Sequence, residues 1–342
     1  MNLAIIVSSA VIIYFINAFL IKKNFLSSIQ GEKHQKYINK KSVPLSGGIF
    51  LLAGFIFIFY QGFILLFLFL SCLFFLGLFS DLKIISSPIK RLFLQIILVF
   101  CIVYFLNLEI HSTRILLIDN FLKNNLINLL FLTFCIIVLI NGSNFIDGLN
   151  GLLLLYAIMI LYVLSKLGLF EYSFDYKIIL SFIVFLIIIL IFNFCNFLFL
   201  GDNGAYSIGL ILGFFLISVY QYNTYISPYF IILLLWYPCF ELLFSVIRKF
   251  KFNHSPLEPD VNHLHQLIFF MLKEKFFKKR DLFANNLTSL IINFYNFLLF
   301  FIASKYYTKT DIQLILIILT ILIYTFVYQN LLKLKKNIKK FD

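Results

Sequence analysis

Charge is what this sequence has least of. Only 13% of its 342 residues are Asp, Glu, Lys or Arg, where a soluble globular chain carries about 25%. With 62% of residues hydrophobic and a mean hydropathy of +1.00, that scarcity points to an integral membrane protein. Cysteine is also sparse. Cys72, Cys101, Cys135, Cys195 and Cys239 stand singly in apolar stretches, with no Cys-x-x-Cys pair, which argues against a disulfide framework and a cysteine-based zinc site. The chain start lacks a basic n-region, so the first apolar run is not read as a cleaved signal peptide. No linker or second core interrupts the pattern, and residues 1–342 are read as one polytopic membrane domain. The net charge of +13 would suggest nucleic acid in a soluble protein. Here membrane orientation explains it better, and no nucleic-acid partner is expected.

What the chain has is long apolar runs. A helix needs about 20 apolar residues to cross a bilayer. The pattern predicts an all-α protein with eleven spans, near 3–21, 47–61, 64–80, 92–107, 126–141, 149–165, 178–199, 205–220, 227–248, 286–304 and 311–331. Cytoplasmic loops are enriched in Lys and Arg. With the N-terminus outside and the C-terminus in the cytoplasm, 22 of the 28 basic residues fall on the inner side. With 46 Phe and 19 Tyr in the chain, a single aromatic carries little information.

The polar residues gather at the predicted cytoplasmic ends. "SDLK" (80–83), "NGSNFIDGLNG" (141–151), "FLGDNGAYSIG" (199–209) and the loop "RKFKFNHSPLEPDVNHLHQ" (248–266) hold Asp81, Asp147, Asp202, Glu258 and Asp260, with three of the five His. Asp and Gly favour turns, and helix capping accounts for at least one of Asn141, Asn144 and Asn150. Asn144 and Asp147, three apart, would share a helix face. Asn144 with Asp202 would offer hard oxygen ligands suited to Mg²⁺. His263 and His265 diverge on a helix but point the same way in an extended loop. Without a third His or Cys at ligand spacing, anion binding beside Arg248, Lys249 and Lys251 is favoured over zinc. Glu241 sits inside the ninth span, where an acid usually faces a cavity or a partner. Pro238, three residues earlier, frees backbone there.

Taken in order, these segments resemble the polyprenyl-phosphate N-acetylhexosamine-1-phosphate transferases, the glycosyltransferase family 4 and phospho-MurNAc-pentapeptide translocase superfamily. "KKSVPLSGG" (40–48) resembles its first-loop Lys-x-x-x-Pro-x-x-Gly-Gly pattern, and "GLFSDLK" (77–83) its Asp-Asp loop. "NGSNFIDGLNGL" (141–152) and "FLGDNGAYSIG" (199–209) resemble two further motifs. "HSPLEPDVNHLHQ" (254–266) resembles the surface-polysaccharide-initiating branch. The likeness covers about residues 40–270. Ser80, Asn150, His254 and Gln266 depart from the usual residues.

The resemblance implies transfer of a sugar-1-phosphate from a UDP-sugar to polyprenyl phosphate, with release of UMP, at the cytoplasmic face of a bacterial inner membrane. It implies Mg²⁺, for which Mn²⁺ could substitute, on Asn144 and Asp202. It gives catalytic roles to Asp81, Asp147, Asp202, His263 and His265. Lys40 or Lys41 would meet a phosphate, Asn150 and Phe199 the uracil, and Asp260 with the His pair the sugar-phosphate side, with Arg248 among the substrate contacts. A homodimer is a further partner considered. Two alternatives stay open. A secondary transporter would place ionisable groups near the midplane on broken helices, as Glu241 suggests. Ser80, standing where the family has Asp, suggests a catalytically inactive homologue.

Overall fold

The structure, a computed structural model, describes residues 3–26, 43–59, 63–170, 176–251, 255, 262–278 and 280–341. Among them the chain is all-helical. An apolar chain in lipid has no water to satisfy its backbone, so helices are the solution available to a single run. The elements are α1 (Leu3–Lys23), α2 (Gly47–Ile58), α3 (Ile64–Asp81), α4 (Pro88–Phe105), α5 (Leu116–Leu122), α6 (Asn125–Ile146), α7 (Leu152–Lys166), α8 (Tyr176–Phe194), α9 (Gly201–Tyr222), α10 (Pro228–Leu234), α11 (Trp236–Lys251), α12 (Leu264–Lys275), α13 (Asp281–Lys305) and α14 (Thr310–Phe341).

Each of the eleven predicted spans falls on one of these helices or on the α10–α11 pair. Among the described residues, seven helices are long and apolar enough to cross a membrane, or eight if the bent α10–α11 pair is one span. The short apolar helices α2 and α7 account for two of the other predicted spans. The periodicity missed α5 and α12, which lie in segments read as loops. Side chains such as Phe93, Phe294 and Phe326 stand more than 60% exposed. Apolar exposure on that scale fits a surface solvated by lipid rather than water.

Helix α9 is the centre of the bundle. Of its most apolar stretch 94% is buried, and it packs on α2, α3 and α6. Small residues permit that approach. A Cβ on Gly77 of α3 would lie 2.5 Å from the Asn203 Cα, so the two backbones meet where only Gly fits.

The α10–α11 pair bends by 74°. Pro238 has no N–H to give the carbonyl four residues back, that of Leu234. The Tyr156 hydroxyl takes over, donating to the Leu234 oxygen at 2.8 Å and accepting the Tyr237 N–H at 3.3 Å. One buried hydroxyl thus satisfies the break in lipid.

Candidate active site at the start of helix α9

The α3 and α6 helices end, and α2 and α9 begin, at one end of the bundle. Phe199 ties two of these segments together. Its N–H donates to the Pro44 carbonyl at 2.9 Å, and its carbonyl accepts from the Gly47 N–H at 2.9 Å.

Asp81, the last residue of α3, caps the amino end of α9. Its Oδ1 accepts the Asp202 N–H at 2.9 Å, and its Oδ2 accepts the Asn203 N–H at 3.1 Å and the Asn203 side-chain amide. The first amides of a helix lack intrahelical acceptors and carry partial positive charge, so a carboxylate suits the position. Gly201 is required there. It sits at φ +74°, and a Cβ would come within 2.7 Å of the Asp81 Oδ2.

Asp202 follows in the first turn of α9. Its Oδ2 accepts from the Ser80 hydroxyl at 2.5 Å, the Arg91 guanidinium at 2.8 Å and, weakly, the Tyr206 hydroxyl at 3.4 Å. Arg91 also donates to Ser80. The Arg91 and Asp202 side chains are each 22% exposed, so this ion pair stands at the surface of the site. The other oxygen, Oδ1, takes no hydrogen bond among the described residues.

Asp147 caps the carboxyl end of α6 and is half-buried. Burial first, then the charges of Asp202 and Asp81, holds its carboxyl well above the usual range. A hollow is lined by Asp147, Gly148, Asn150, Asn193, Phe199 and Leu200. Asn193 clamps its walls: its oxygen accepts the Gly151 N–H, and its amide donates to the Leu198 carbonyl at 2.9 Å. The Asn150 N–H is held by the Asn285 side-chain oxygen at 2.9 Å.

A second polar group adjoins the first. His263, extended at φ −73° and ψ 150°, precedes α12 and faces Glu241. The His263 and His265 rings stack 5.6 Å apart at 7°, and His263 meets Phe145 edge-on at 5.0 Å. Only His263 is extended; His265 lies in the first turn of α12, so the rings come face to face across the start of that helix rather than along an extended loop. A Cβ on Gly148 would lie 3.0 Å from the His265 Nε2, so the His pair backs onto the wall of the hollow. Arg248 donates to the Asn262 carbonyl at 2.6 Å, to the Tyr328 hydroxyl and to Ser245. These bonds hold the entry to the His segment.

Residues 63–220 match glycosyl transferase family 4. The chain is also 30% identical over 211 residues to the phospho-N-acetylmuramoyl-pentapeptide-transferase of Dictyoglomus thermophilum, an alignment covering 57% of this chain and 65% of that protein. The chain thus spans just under two thirds of the relative's length. Both matches support the glycosyl transferase family 4 and translocase superfamily, and neither separates its branches. The family stretch contains Asp81, Arg91, Asp147, Asn150, Phe199 and Asp202. It stops before Glu241 and the His pair.

The family reading expects a metal on Asn144 and Asp202. Among the described residues no three His, Cys, Asp or Glu side chains converge as a metal site. The donor set still fits a hard cation. Asn144 and Asp147 accept no hydrogen bond among the described residues, and Asp202 keeps Oδ1 open, which leaves amide and carboxylate oxygens of the kind Mg²⁺ takes.

Lys40, Lys41 and Asp260 lie outside the described residues. Sequence reasoning did not single out Arg91, Asn203, Tyr206, Asn285 or Tyr324. In the sequence Arg91 looks like one more inside-positive charge. The others are polar residues on apolar helices, whose partners lie between 83 and 135 positions away in the chain or, for Tyr206, depend on where Asp202 points.

Proposed function

We propose that this protein transfers an N-acetylhexosamine-1-phosphate from a UDP-sugar to a polyprenyl phosphate, releasing UMP, and so starts a lipid-linked surface polysaccharide. The observation that carries the reading is convergence. Segments 43–48 and 77–83 bond to the start of α9 within 199–203, and 147–150 with Phe199 and Leu200 line the adjoining hollow, with the Arg91–Asp202 pair at the same end of α9. The "HSPLEPDVNHLHQ" pattern supports the surface-polysaccharide branch, and the matched relative supports the pentapeptide-bearing donor as its competitor.

Both reactants are anionic, so charge is the main obstacle to attack of the lipid phosphate on the donor's β-phosphate. Arg91 offers a bidentate cation for a phosphate. Asn150 and Phe199 on the walls of the hollow suit a planar base, by amide pairing and stacking. Asp81 fixes the first turn of α9 and with it Asp202. Asp202, with Asn144, would hold Mg²⁺, with Mn²⁺ as a substitute. When bound, that ion neutralises pyrophosphate charge and stabilises the leaving UMP. A site at the membrane surface on the cytoplasmic face would receive a water-soluble donor and a lipid acceptor together.

The transporter alternative rests on Glu241 alone. Glu241 is fully engaged with His263, Leu264 and Tyr324, which favours a structural reading of that acid. The test uses purified protein in lipid nanodiscs with undecaprenyl phosphate. Donors are UDP-GlcNAc, UDP-GalNAc and UDP-MurNAc-pentapeptide. The expected result is acceptor-dependent UMP release and lipid product with a UDP-HexNAc. Product from the pentapeptide donor alone would move the protein to the other branch. No product with any donor would favour the inactive homologue.

A further inference from the structure

Glu241 is fully buried in α11. A carboxyl group in such a place is costly unless its oxygens are satisfied. Oε1 faces the His263 Nδ1 at 3.0 Å and accepts the Leu264 N–H at 3.2 Å. Oε2 accepts the Tyr324 hydroxyl at 2.8 Å. An amide N–H can only donate, so Oε1 acts as an acceptor. The His263 nitrogen facing the same oxygen is then the donor. That places the proton of a neutral imidazole on Nδ1 and its lone pair on Nε2. Nε2 takes no hydrogen bond among the described residues, and the side chain is 7% exposed.

The ring cannot easily turn. It is stacked on His265 and meets Phe145 edge-on. The other end of Glu241 is held as firmly. Tyr324 stacks on Tyr328 one turn along α14, at 6.1 Å and 5°. Tyr328 accepts from Arg248, which also grips Asn262. Helices α11 and α14 therefore form a fixed seat for residues 262–264, and both lie beyond the stretch matched by the family.

A lone pair is repelled by ionised phosphate oxygens and attracted to O–H and N–H groups. We propose that Glu241 is a positioning residue that fixes His263 with Nε2 as a hydrogen-bond acceptor for a hydroxyl or amide N–H of the donor hexosamine. The identity of that ligand rests on the transferase reading. The tautomer does not.

The test pairs spectroscopy with kinetics on the full chain in nanodiscs. Histidine ¹⁵N spectra, assigned with His263→Asn, should show the Nδ1–H tautomer at His263. Glu241→Gln should retain it, because the amide oxygen still accepts from both donors and the Tyr324 hydroxyl can accept from the amide. Glu241→Ala should lose it. With UDP-GlcNAc or whichever UDP-HexNAc proves active, Glu241→Ala should raise KM about tenfold and change kcat by less than about threefold, the scale of one lost hydrogen bond. Glu241→Gln should stay within about threefold on both. An Nε2–H tautomer in the unmodified protein overturns the proposal, as does an unchanged tautomer and KM in folded Glu241→Ala. If Glu241→Ala does not fold, an Nε2–H signal in Glu241→Gln overturns it equally. If no donor supports transfer, the transferase reading fails, and the spectra alone decide the role of Glu241.

Discussion

Asp81 holds Asp202 by its backbone: the carboxylate at the end of α3 accepts the Asp202 N–H at 2.9 Å, 121 positions along the chain. One acid thus sets the position of the other without touching its side chain. From sequence alone, Asp81 is expected to act by positioning through a bound water or a basic partner such as Lys40. The partner seen is the amino end of α9. Asp81→Ala should therefore cost about 1–2 kcal/mol of stability as a lost charged cap. Asp81→Asn turns an amide donor toward backbone donors and should impair turnover at every pH from about 6 to 9, because the hydrogen bonds it disrupts are to backbone N–H groups that do not titrate. A pH–rate series checks this. Recovery of full rate at high pH would identify Asp81 as a proton acceptor instead.

Asp202 is the acid on which the metal reading turns. Asp202→Asn keeps its shape and loses its charge, and turnover should fall by about 100-fold or more, the scale of losing an electrostatic stabiliser. Excess EDTA should have a comparable effect, reversed by Mg²⁺ or Mn²⁺. Full activity in EDTA would remove the metal from the mechanism.

Arg91 competes for the same carboxylate. Arg91→Met should tighten Mn²⁺ binding, read by electron paramagnetic resonance, by up to about fivefold, the worth of a partly exposed ion pair. It should lower transfer more than Arg91→Lys does, since a cation remains in the latter. Unchanged Mn²⁺ affinity would mean that Arg91 and the ion do not share Asp202. Ser80→Asp puts an anion where a hydroxyl now donates to Asp202, so that variant should need a divalent cation for stability more than the natural protein does.

Asp147 predicts a pH dependence of stability. Its folded-state pKa is raised by burial and by the Asp202 and Asp81 charges above the ordinary 3.8. The folded state therefore binds this proton more tightly than the unfolded state. Without divalent cations, stability should fall as pH rises above about 3.8 and level off once the raised value is passed. Asp147→Asn cannot ionise and should show a flatter thermal-unfolding profile over that window. Parallel profiles for the two proteins would show Asp147 to be well solvated.

The opening end of α9 illustrates how far the sequence can be read. "GDNG" alone suits a solvated turn, and it points to a site only together with the other polar segments at the same face. The acid's partners were hidden: Arg91 looks like any inside-positive charge, and Asn203 sits one residue further on with no mark of its own. The hollow was partly legible, since Asn150 and Phe199 were paired by resemblance and both line it. Asn193 and Asn285, which hold its walls, carry no signal because Asn on an apolar helix can serve any neighbour.

Composition and periodicity determined the solvent and the elements. A chain with so little charge must satisfy its backbone internally in lipid, which makes it helical, and its runs mark where the helices lie. Length alone separated spans poorly, because α2 and α7 are apolar yet short, and because Pro238 splits one run into two helices that Tyr156 stitches together. Tertiary structure alone decided which polar groups face each other. Glu241 could have lined a pathway or answered Arg248 seven residues away on its own helix. Packing of α11 against α12 and α14 gave it His263, Leu264 and Tyr324 instead. Hydrogen bonds depend on separations of about 3 Å, and in a bundle those are set by helices far apart in the chain.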